Sequence, residues 1–427
     1  MKGKLVSVLV MVFVLMWTSC SSEEEVLNEH EGPVEITFMH IHGGSSGEVV
    51  KQAAERFNSM QDNIIVSPMY VEGSYEGVLE KLQALAAVDQ LPDLTQSGFQ
   101  YTNYMVENMP IIPAYEFIES ENMDVSDFYP TMLNLARYTD GKIYGLPIAV
   151  SNPVLYYNLD FFEEAGLSEV DVPETFHELR EISKRLTGNG KHGVYFDFSI
   201  TGNWLFQAMV ESFGGQMVAD DQKSVAFDSR AGMEVMKYWN DLVNIDKSMP
   251  FLERTQAIQS FNQGNIAMFI TTTAALRSFQ NNSNFEVGTA KFPTWENYRR
   301  QIPGGGNNGF VLESTPEKEQ AAWEFLKYLS SPEGTTQIAS GMGYMAVRQS
   351  AVSDPDLMGT YLREENPPAY TTYTQIPDMT QWNNFPGRGG TRIFKIVQDN
   401  IQAVFSRQKT PEQGITEAAR DANALIR

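Results

Sequence analysis

The sequence predicts an α/β protein with a largely parallel sheet, and its length allows two or three domains. From residue 33 onward, strand-like segments at 34–39, 64–71 and 92–96 alternate with segments at 49–60 and 75–88 whose apolar residues recur at helical spacing. This alternation is typical of strand–helix–strand units, in which helices connect parallel strands. A chain of 427 residues is long enough to form more than one hydrophobic core.

Capping signals mark the starts of several later helices. Thr175 and Glu178 have the spacing of a capping box, in which each side chain bonds the backbone of the other. Thr315, Ser331 and Thr410 each precede a proline, a residue that is favoured in the first turn of a helix. We therefore predict helices that begin just after these four capping residues.

The charge balance excludes several classes of function. The chain has 54 acidic and 31 basic residues, so its formal net charge is −23, and such a surface repels nucleic-acid phosphates. With only one cysteine, the chain can form neither an intrachain disulfide nor a zinc site built from several thiolates. We expect no nucleic-acid partner, no bound metal and no cofactor.

The first twenty residues predict export. Two lysines precede an apolar segment at 5–17, which is too short to span a bilayer and is typical of a signal peptide. The segment ends in Thr18, Ser19 and Cys20, which resembles a bacterial lipobox, although Trp17 replaces the usual aliphatic residue. We predict a signal peptide at 1–19, lipid attachment at Cys20 and a polar tether at 20–32. The alternative is an ordinary signal peptide with an unrelated cysteine.

Two short motifs near the N-terminus allow functional and structural interpretations. Residues 43–47 match the G-x-S-x-G pattern of a hydrolase, with Ser45 as the serine, but only one predicted strand precedes them. We favour a glycine-rich loop whose backbone N–H groups, together with Ser45, face a polar ligand. His40 and His42 lie on one side of a strand and could hold a metal, but they lack a third ligand nearby and are interpreted as polar strand residues.

Tryptophans and glycines in the second half of the chain have similar alternatives. Trp204 follows a short loop, where it could stack on a sugar ring or belong to the core. Trp239 and Trp323 stand on apolar helix faces and are predicted core residues. The glycines at 304–306 could allow the backbone to approach a ligand closely, or could form a surface turn.

Five segments, in the same order and at similar spacing, resemble extracellular solute-binding proteins of carbohydrate importers, the group that includes maltose-binding and glycerol-3-phosphate-binding proteins. They are the stretches at 141–147, 153–160, 261–268, 343–348 and 409–412. The segment at 343–348 departs from the family's G-Y-L-P pattern, because Met345 and Ala346 replace Leu-Pro. The resemblance extends from about residue 34 to the C-terminus.

The resemblance implies a two-lobed type II periplasmic binding protein fold with hinge crossings. The N-terminal lobe would comprise 33–150 and 304–346, and the C-terminal lobe 151–303 and 347–427. The crossings near residues 151, 304 and 347 coincide with turn-rich segments in the sequence. A protein of this kind captures a solute when the lobes close around it and delivers it to a permease.

The resemblance also implies a set of ligand-binding residues. Motif alignment favours Tyr75, Ser97, Ser151, Trp204, Thr272, Gly305, Gly306 and Tyr344, with either Arg388 or Arg392 as an arginine that pairs with phosphate. The family's glycerol-3-phosphate branch has an acidic ligand contact in the segment that holds Ser97, but residues 97–100 contain no carboxylate here.

The sequence therefore predicts the substrate-binding lipoprotein of an ABC importer for a sugar or oligosaccharide. An alternative within the same class is a receptor for glycerol-3-phosphate or its diesters, and a different class is an exported esterase or glycosidase. We expect a monomer that contacts the permease subunits and is held by its lipid at the outer face of the cytoplasmic membrane or in the periplasm.

Overall fold

A computed structural model describes residues 32–387 and 389–426. The predicted signal peptide, Cys20, nearly all of the tether, Arg388 and Arg427 lie outside the described residues. The strands are β1 Val34–His40, β2 Ile64–Tyr70, β3 Leu94–Gly98, β4 Ile111–Ile112, β5 Leu146–Ser151, β6 Pro153–Asn158, β7 His192–Phe196, β8 Ile266–Thr272, β9 Val287–Lys291, β10 Ile302–Pro303, β11 Gly305–Leu312 and β12 Met379–Thr380.

The α-helices are α1 Gly44–Met60, α2 Tyr75–Ala86, α3 Thr102–Asn108, α4 Ala114–Glu121, α5 Pro130–Asn134, α6 Leu159–Glu164, α7 Phe176–Arg185, α8 Trp204–Ser212, α9 Arg230–Asn240, α10 Arg254–Asn262, α11 Leu276–Asn282, α12 Pro316–Leu329, α13 Pro332–Met342, α14 Gln349–Ser353, α15 Gly390–Phe405 and α16 Pro411–Ile426. Short 3₁₀ and π-helical turns lie between them, including a 3₁₀ turn at Thr201–Asn203. Within the described residues, none of these helices combines the length and apolar character needed to cross a membrane.

Two principal sheets organise the chain. The first has the order β2-β1-β3-β11-β4, with β5 also paired to β11, and the second has the order β7-β8-β6-β9. Strands β10 and β12 form a separate pair. The mixed α/β class is confirmed.

The prediction of a largely parallel sheet is wrong for much of both sheets. Strand β1 is parallel to β2 and β3, but β11 is antiparallel to β3, β4 and β5. In the second sheet only β7 and β8 are parallel, whereas β6 is antiparallel to β8 and β9. The connections between strands explain this difference, because two adjacent parallel strands must be joined by a long crossover. Strand β11 instead enters the middle of its sheet from the other half of the molecule.

The chain passes between the two sheets in short segments. Asn152 alone separates β5 from β6, and Gly304 alone separates β10 from β11. A third passage follows α13, where the Met345 backbone N–H donates to the Val150 carbonyl at 2.7 Å. The predicted lobe bounds remain a prediction.

The helix starts and the core tryptophans agree with the sequence. Thr175 and Glu178 form a complete capping box, and the side chains of Thr315 and Ser331 cap α12 and α13. Trp239 and Trp323 are both 0% exposed, so their prediction as core residues is confirmed. These helices cover the faces of the two sheets and leave the strand ends to form the region between them.

Candidate ligand-binding site

A cavity with a volume of about 770 Å³ lies between the two sheets. The first sheet and its helices contribute Tyr75 at the start of α2, Ser151 at the end of β5, and Gly305 at the start of β11. The second half of the molecule contributes Trp204 and Thr272. Both halves therefore form the wall of one cavity.

Two tryptophans form an apolar part of this wall. The Trp204 and Trp382 ring centroids are 5.7 Å apart, and the ring planes are tilted by 40°. The Trp204 Nε1–H donates to the Pro303 carbonyl at 3.0 Å, and the Trp382 Nε1–H donates to the Gly202 carbonyl at 3.3 Å. Their polar edges are therefore satisfied by backbone, and because the two residues are only 1% and 3% exposed, a small area of each ring borders the cavity.

Two glycines allow these rings to approach the backbone closely. A Cβ at Gly305 would lie 2.6 Å from a ring carbon of Trp204, and a Cβ at Gly202 would lie 2.7 Å from a ring carbon of Trp382. Gly202 also has a φ of +69°, a region that glycine adopts without steric cost. Any larger residue at either position would displace a ring.

Tyrosine hydroxyls line another part of the cavity. The Asn307 Nδ2–H donates to the Tyr75 hydroxyl at 3.0 Å, and the Tyr75 hydroxyl is also hydrogen-bonded to that of Tyr344. Burial raises the pKa of Tyr75 well above its usual value and also raises the pKa of Tyr344. Both hydroxyls therefore remain protonated and available for hydrogen bonding at neutral pH.

Glu76 connects the two halves across the cavity. The Tyr101 hydroxyl donates to Glu76 Oε1 at 2.8 Å, and the Thr201 hydroxyl donates to the same oxygen. The Ser74 hydroxyl donates to Oε2. Because Thr201 belongs to the second half, this carboxylate holds the halves together.

Arg254 places a cation on the wall. Its Nε–H donates to Asp197 Oδ2 at 2.7 Å, and Thr271 donates to that oxygen at 2.8 Å. The attraction of Asp197 raises the pKa of Arg254 above its usual value. The guanidinium is therefore charged and has a fixed orientation.

Helix α15 completes the wall with polar side chains. Thr391, Lys395, Gln398 and Gln402 recur at helical spacing and all face the cavity. The ammonium group of Lys395 is bonded to both carboxylate oxygens of Asp399, at 2.8 and 2.7 Å.

A second set of contacts joins the halves beside the cavity. The Asn384 side chain donates to the Phe99 carbonyl at 3.2 Å and accepts from the Asn103 backbone N–H at 3.1 Å. The Tyr101 and Phe394 rings meet edge to face at 5.9 Å. These contacts, together with those of Glu76, join the two halves beside the cavity.

Seven of the eleven predicted ligand-binding residues line the cavity: Tyr75, Ser151, Trp204, Thr272, Gly305, Gly306 and Tyr344. Ser45, Ser97 and Arg392 do not line it. Arg388 lies outside the described residues.

Local structure explains why each of these three residues does not line the cavity. Ser45 is exposed in the first turn of α1 and lies away from the cavity. Ser97 is 1% exposed because it pairs with Asn308 inside the first sheet. Arg392 is exposed and follows Thr391 by one residue, so it projects about 100° away from the cavity-facing stripe of α15.

His40 is the last residue of β1, and His42 lies two residues beyond the strand rather than on it as predicted. Their ring centroids are 6.3 Å apart, and burial lowers the pKa of His40 and of His42 to about 4. In the part of the chain that the structure describes, no three metal-ligating side chains come together.

Sequence reasoning missed Glu76, Arg254 and Trp382. Glu76 directly follows Tyr75, so its proximity to a predicted site residue was the available signal. Trp382 lies among polar residues outside any apolar helix face, and although it lines the cavity it is only 3% exposed. Arg254 carried no local signal, because its partner Asp197 is distant in sequence.

Comparisons with known proteins agree with this architecture. The family model for bacterial extracellular solute-binding proteins matches residues 52–361. The chain is 26% identical to the sn-glycerol-3-phosphate-binding periplasmic protein UgpB of Yersinia pestis over 416 residues, which cover 92% of each chain.

Solved structures show the same fold. UgpB from Mycobacterium tuberculosis in complex with glycerophosphocholine aligns with a TM-score of 0.83 and 21% identity, over 92% of this chain and 98% of that one. Maltose-bound MalE3 of T. maritima aligns with a TM-score of 0.78 and 21% identity, over 92% and 100%. The fold is the two-lobed one of periplasmic binding proteins, and the chain belongs to the bacterial extracellular solute-binding protein family.

Proposed function

We propose that this chain is the substrate-binding lipoprotein of an ABC importer that captures a sugar or oligosaccharide by hinge closure. The observation that carries the proposal is the cavity between the sheets, whose wall combines two tryptophan rings, tyrosine and threonine hydroxyls and glycine backbone. Aromatic carbons suit the C–H faces of a sugar ring, and hydroxyl and amide groups suit its hydroxyls.

Individual residues have distinct roles in this proposal. Trp204 and Trp382 supply the apolar surface for the sugar ring, while Tyr344 and Thr272 hydrogen-bond its hydroxyls. Gly306 contributes backbone polar groups, because its φ of +113° and the close Ala149 carbonyl leave no space for a side chain.

Lobe closure follows from the chain path. We assign residues 33–150 and 304–346 to one lobe and 151–303 and 347–427 to the other, so that the short passages between the sheets form the hinge. The contacts of Glu76 with Thr201 and of Asn384 with Phe99 would then break when the lobes open. Solute enters the open form, and the closed form presents it to the permease.

The proposal includes export and a lipid anchor at Cys20. A family of extracellular proteins and the apolar segment at 5–17 support it. We propose a monomer at the outer face of the cytoplasmic membrane or in the periplasm, held by its lipid.

A second candidate is a receptor for glycerol-3-phosphate or its diesters. The identity with a glycerol-3-phosphate-binding relative over 92% of the chain favours it. An esterase or glycosidase is less well supported. Ser45 lies in the first turn of α1 on the first sheet, whereas His177 lies in α7 and His192 begins β7, both on the second sheet.

Ligand screening tests the proposal. A solute that binds only the folded state raises the midpoint of thermal unfolding, so we would screen neutral sugars, oligosaccharides and glycerol phosphates. Calorimetry with Trp382→Ala should show loss of sugar binding, while the control Tyr298→Ala, an exposed aromatic away from the cavity, should bind normally.

The solute should also be recovered chemically unchanged after incubation with the protein. Turnover of the solute would favour the enzyme alternative. Binding of glycerol phosphates without any sugar would replace the first candidate by the second.

A further inference from the structure

Arg254 presents unused hydrogen-bond donors to the cavity. It is the first residue of α10, and 45% of its side-chain surface remains exposed. Its Nε–H is bonded to Asp197, but within the described residues no hydrogen bond uses either Nη group. A guanidinium held through Nε keeps two Nη groups that can form a fork.

Asp197 holds this guanidinium from behind. Its side chain is fully buried directly after β7, its Oδ2 also accepts from Thr271, and its backbone N–H donates to the Ile270 carbonyl at 3.0 Å. Its other oxygen, Oδ1, is buried, and none of the residues that the structure describes forms a hydrogen bond with it. A carboxylate fixed at these points has little freedom to turn, so it holds the Nε edge of Arg254 in place.

This ion pair is a poor source of stability by itself. A half-exposed arginine gains little from pairing, and a buried carboxylate with an unpartnered oxygen loses hydration. The ion pair between Asp197 and Arg254 is better explained by ligand binding. Arg254 lines the cavity, and donors that are already held in place lose less conformational freedom when a ligand binds.

The other charged groups on the described wall are already engaged. Lys395 is bonded to both oxygens of Asp399, one helical turn away. The oxygens of Glu76 accept hydrogen bonds from three hydroxyl groups. Among the described residues of the wall, Arg254 keeps both Nη groups without a hydrogen bond, whereas Lys395 has one N–H left and its charge is offset by Asp399.

We propose that Arg254 binds an acidic group of the solute through its Nη groups, so that the ligand is a carbohydrate bearing a carboxylate, such as a uronic acid unit. A planar carboxylate matches the two parallel N–H bonds of a guanidinium fork. Trp204 and Trp382 contact the apolar face of the sugar. This inference rests on the proposed function, since it takes a carbohydrate as the solute.

Calorimetry on the full chain tests the inference with galacturonate mono-, di- and trisaccharides, the corresponding neutral galactose compounds, and sn-glycerol 3-phosphate. The variants are Arg254→Gln, Arg254→Lys and the matched control Lys51→Gln, which removes an exposed cation on α1 that does not line the cavity. Circular dichroism and the thermal midpoint check folding. Arg254→Lys keeps the charge and removes the fork, so it provides a second variant if Arg254→Gln fails to fold.

The wild-type chain should bind a uronate at least tenfold more tightly than its neutral counterpart. Arg254→Gln should weaken uronate binding roughly 10- to 150-fold and abolish the preference, because a hydrogen bond to a charged group is lost. Arg254→Lys should lie between the wild type and Arg254→Gln, and Lys51→Gln should keep the preference.

Three results would overturn the inference. If neutral sugars bind as tightly as uronates and Arg254→Gln changes nothing, the role of Arg254 is wrong while the receptor function stands. If only sn-glycerol 3-phosphate binds and Arg254→Gln abolishes it, the acidic group is a phosphate and the carbohydrate function fails too. If no uronate binds, the carboxylate assignment is wrong.

Discussion

Replacement of Glu211 by glutamine should stabilise the protein at neutral and alkaline pH but not at acidic pH. Glu211 lies on α8, where its Oε1 accepts from Gln207 at 2.7 Å and its Oε2 accepts from Thr380 at 2.7 Å. Burial raises the pKa of this carboxyl from 4.5 to about 7, and the two hydrogen bonds only partly offset that rise.

The sign follows from proton binding. Between pH 4.5 and 7 the folded protein holds a proton on Glu211 that the unfolded chain has released, so this group's contribution to stability decreases as pH rises. The contribution is fully present below pH 4.5 and is lost above about pH 7. A pKa shift of this size corresponds to about 3 kcal/mol at most. Because Glu211 remains partly exposed, we expect an effect of about 2–3 kcal/mol on the free energy of unfolding.

Denaturant unfolding from pH 4.5 to 8.5 measures this effect as the difference in unfolding free energy between Glu211→Gln and the wild type. The difference should be near zero at the acidic end and should rise by about 2–3 kcal/mol in favour of the variant. The control Glu163→Gln, an exposed residue on α6, should show no comparable rise. A difference independent of pH, or a variant less stable at pH 8, would refute the burial of a costly carboxylate.

Four further substitutions test the site and the anchor. Trp204→Ala should weaken sugar binding at least about 100-fold by calorimetry while circular dichroism stays unchanged, because it removes a ring of the cavity wall; full affinity would remove that ring from the site. Gly305→Ala should lower the free energy of unfolding by about 1–3 kcal/mol, since its Cβ would lie 2.6 Å from Trp204; unchanged stability would contradict this packing. Asn384→Ala deletes two bonds between the halves, so small-angle scattering of the ligand-free variant should show a larger radius of gyration than wild type; identical profiles would argue that these bonds do not hold the halves closed. Cys20→Ala should release the protein from the membrane fraction or leave the precursor uncut, and normal processing with membrane retention would contradict the lipid anchor.

Local features of the sequence determined much of the fold. The α/β class follows from the spacing of apolar residues, and helix starts such as that after Thr175 follow from capping, which involves residues within one turn. The core position of Trp323 likewise follows from its place on an apolar helix face. These properties can be predicted from the sequence because each depends on residues only a few positions away.

The candidate site was predictable only where a motif carried it. Tyr344 lies in one of the five segments that resemble the family, Tyr75 and Trp204 are assigned by motif alignment, and all three line the cavity. Ser97 lies in an equally suggestive segment, but strand pairing with Asn308 takes it into the sheet. Motif position therefore indicates the neighbourhood of a residue but not whether its side chain reaches the cavity.

Only the tertiary structure decided which distant groups meet. The sequence alone could not pair Arg254 with Asp197, 57 positions away, or bring Thr201 to Glu76, 125 positions away. It also could not predict that β11 runs antiparallel through the first sheet, which places Gly305 beside Trp204. Such contacts depend on how the two sheets pack and on where the chain passes between them, and no local pattern of residues encodes that geometry.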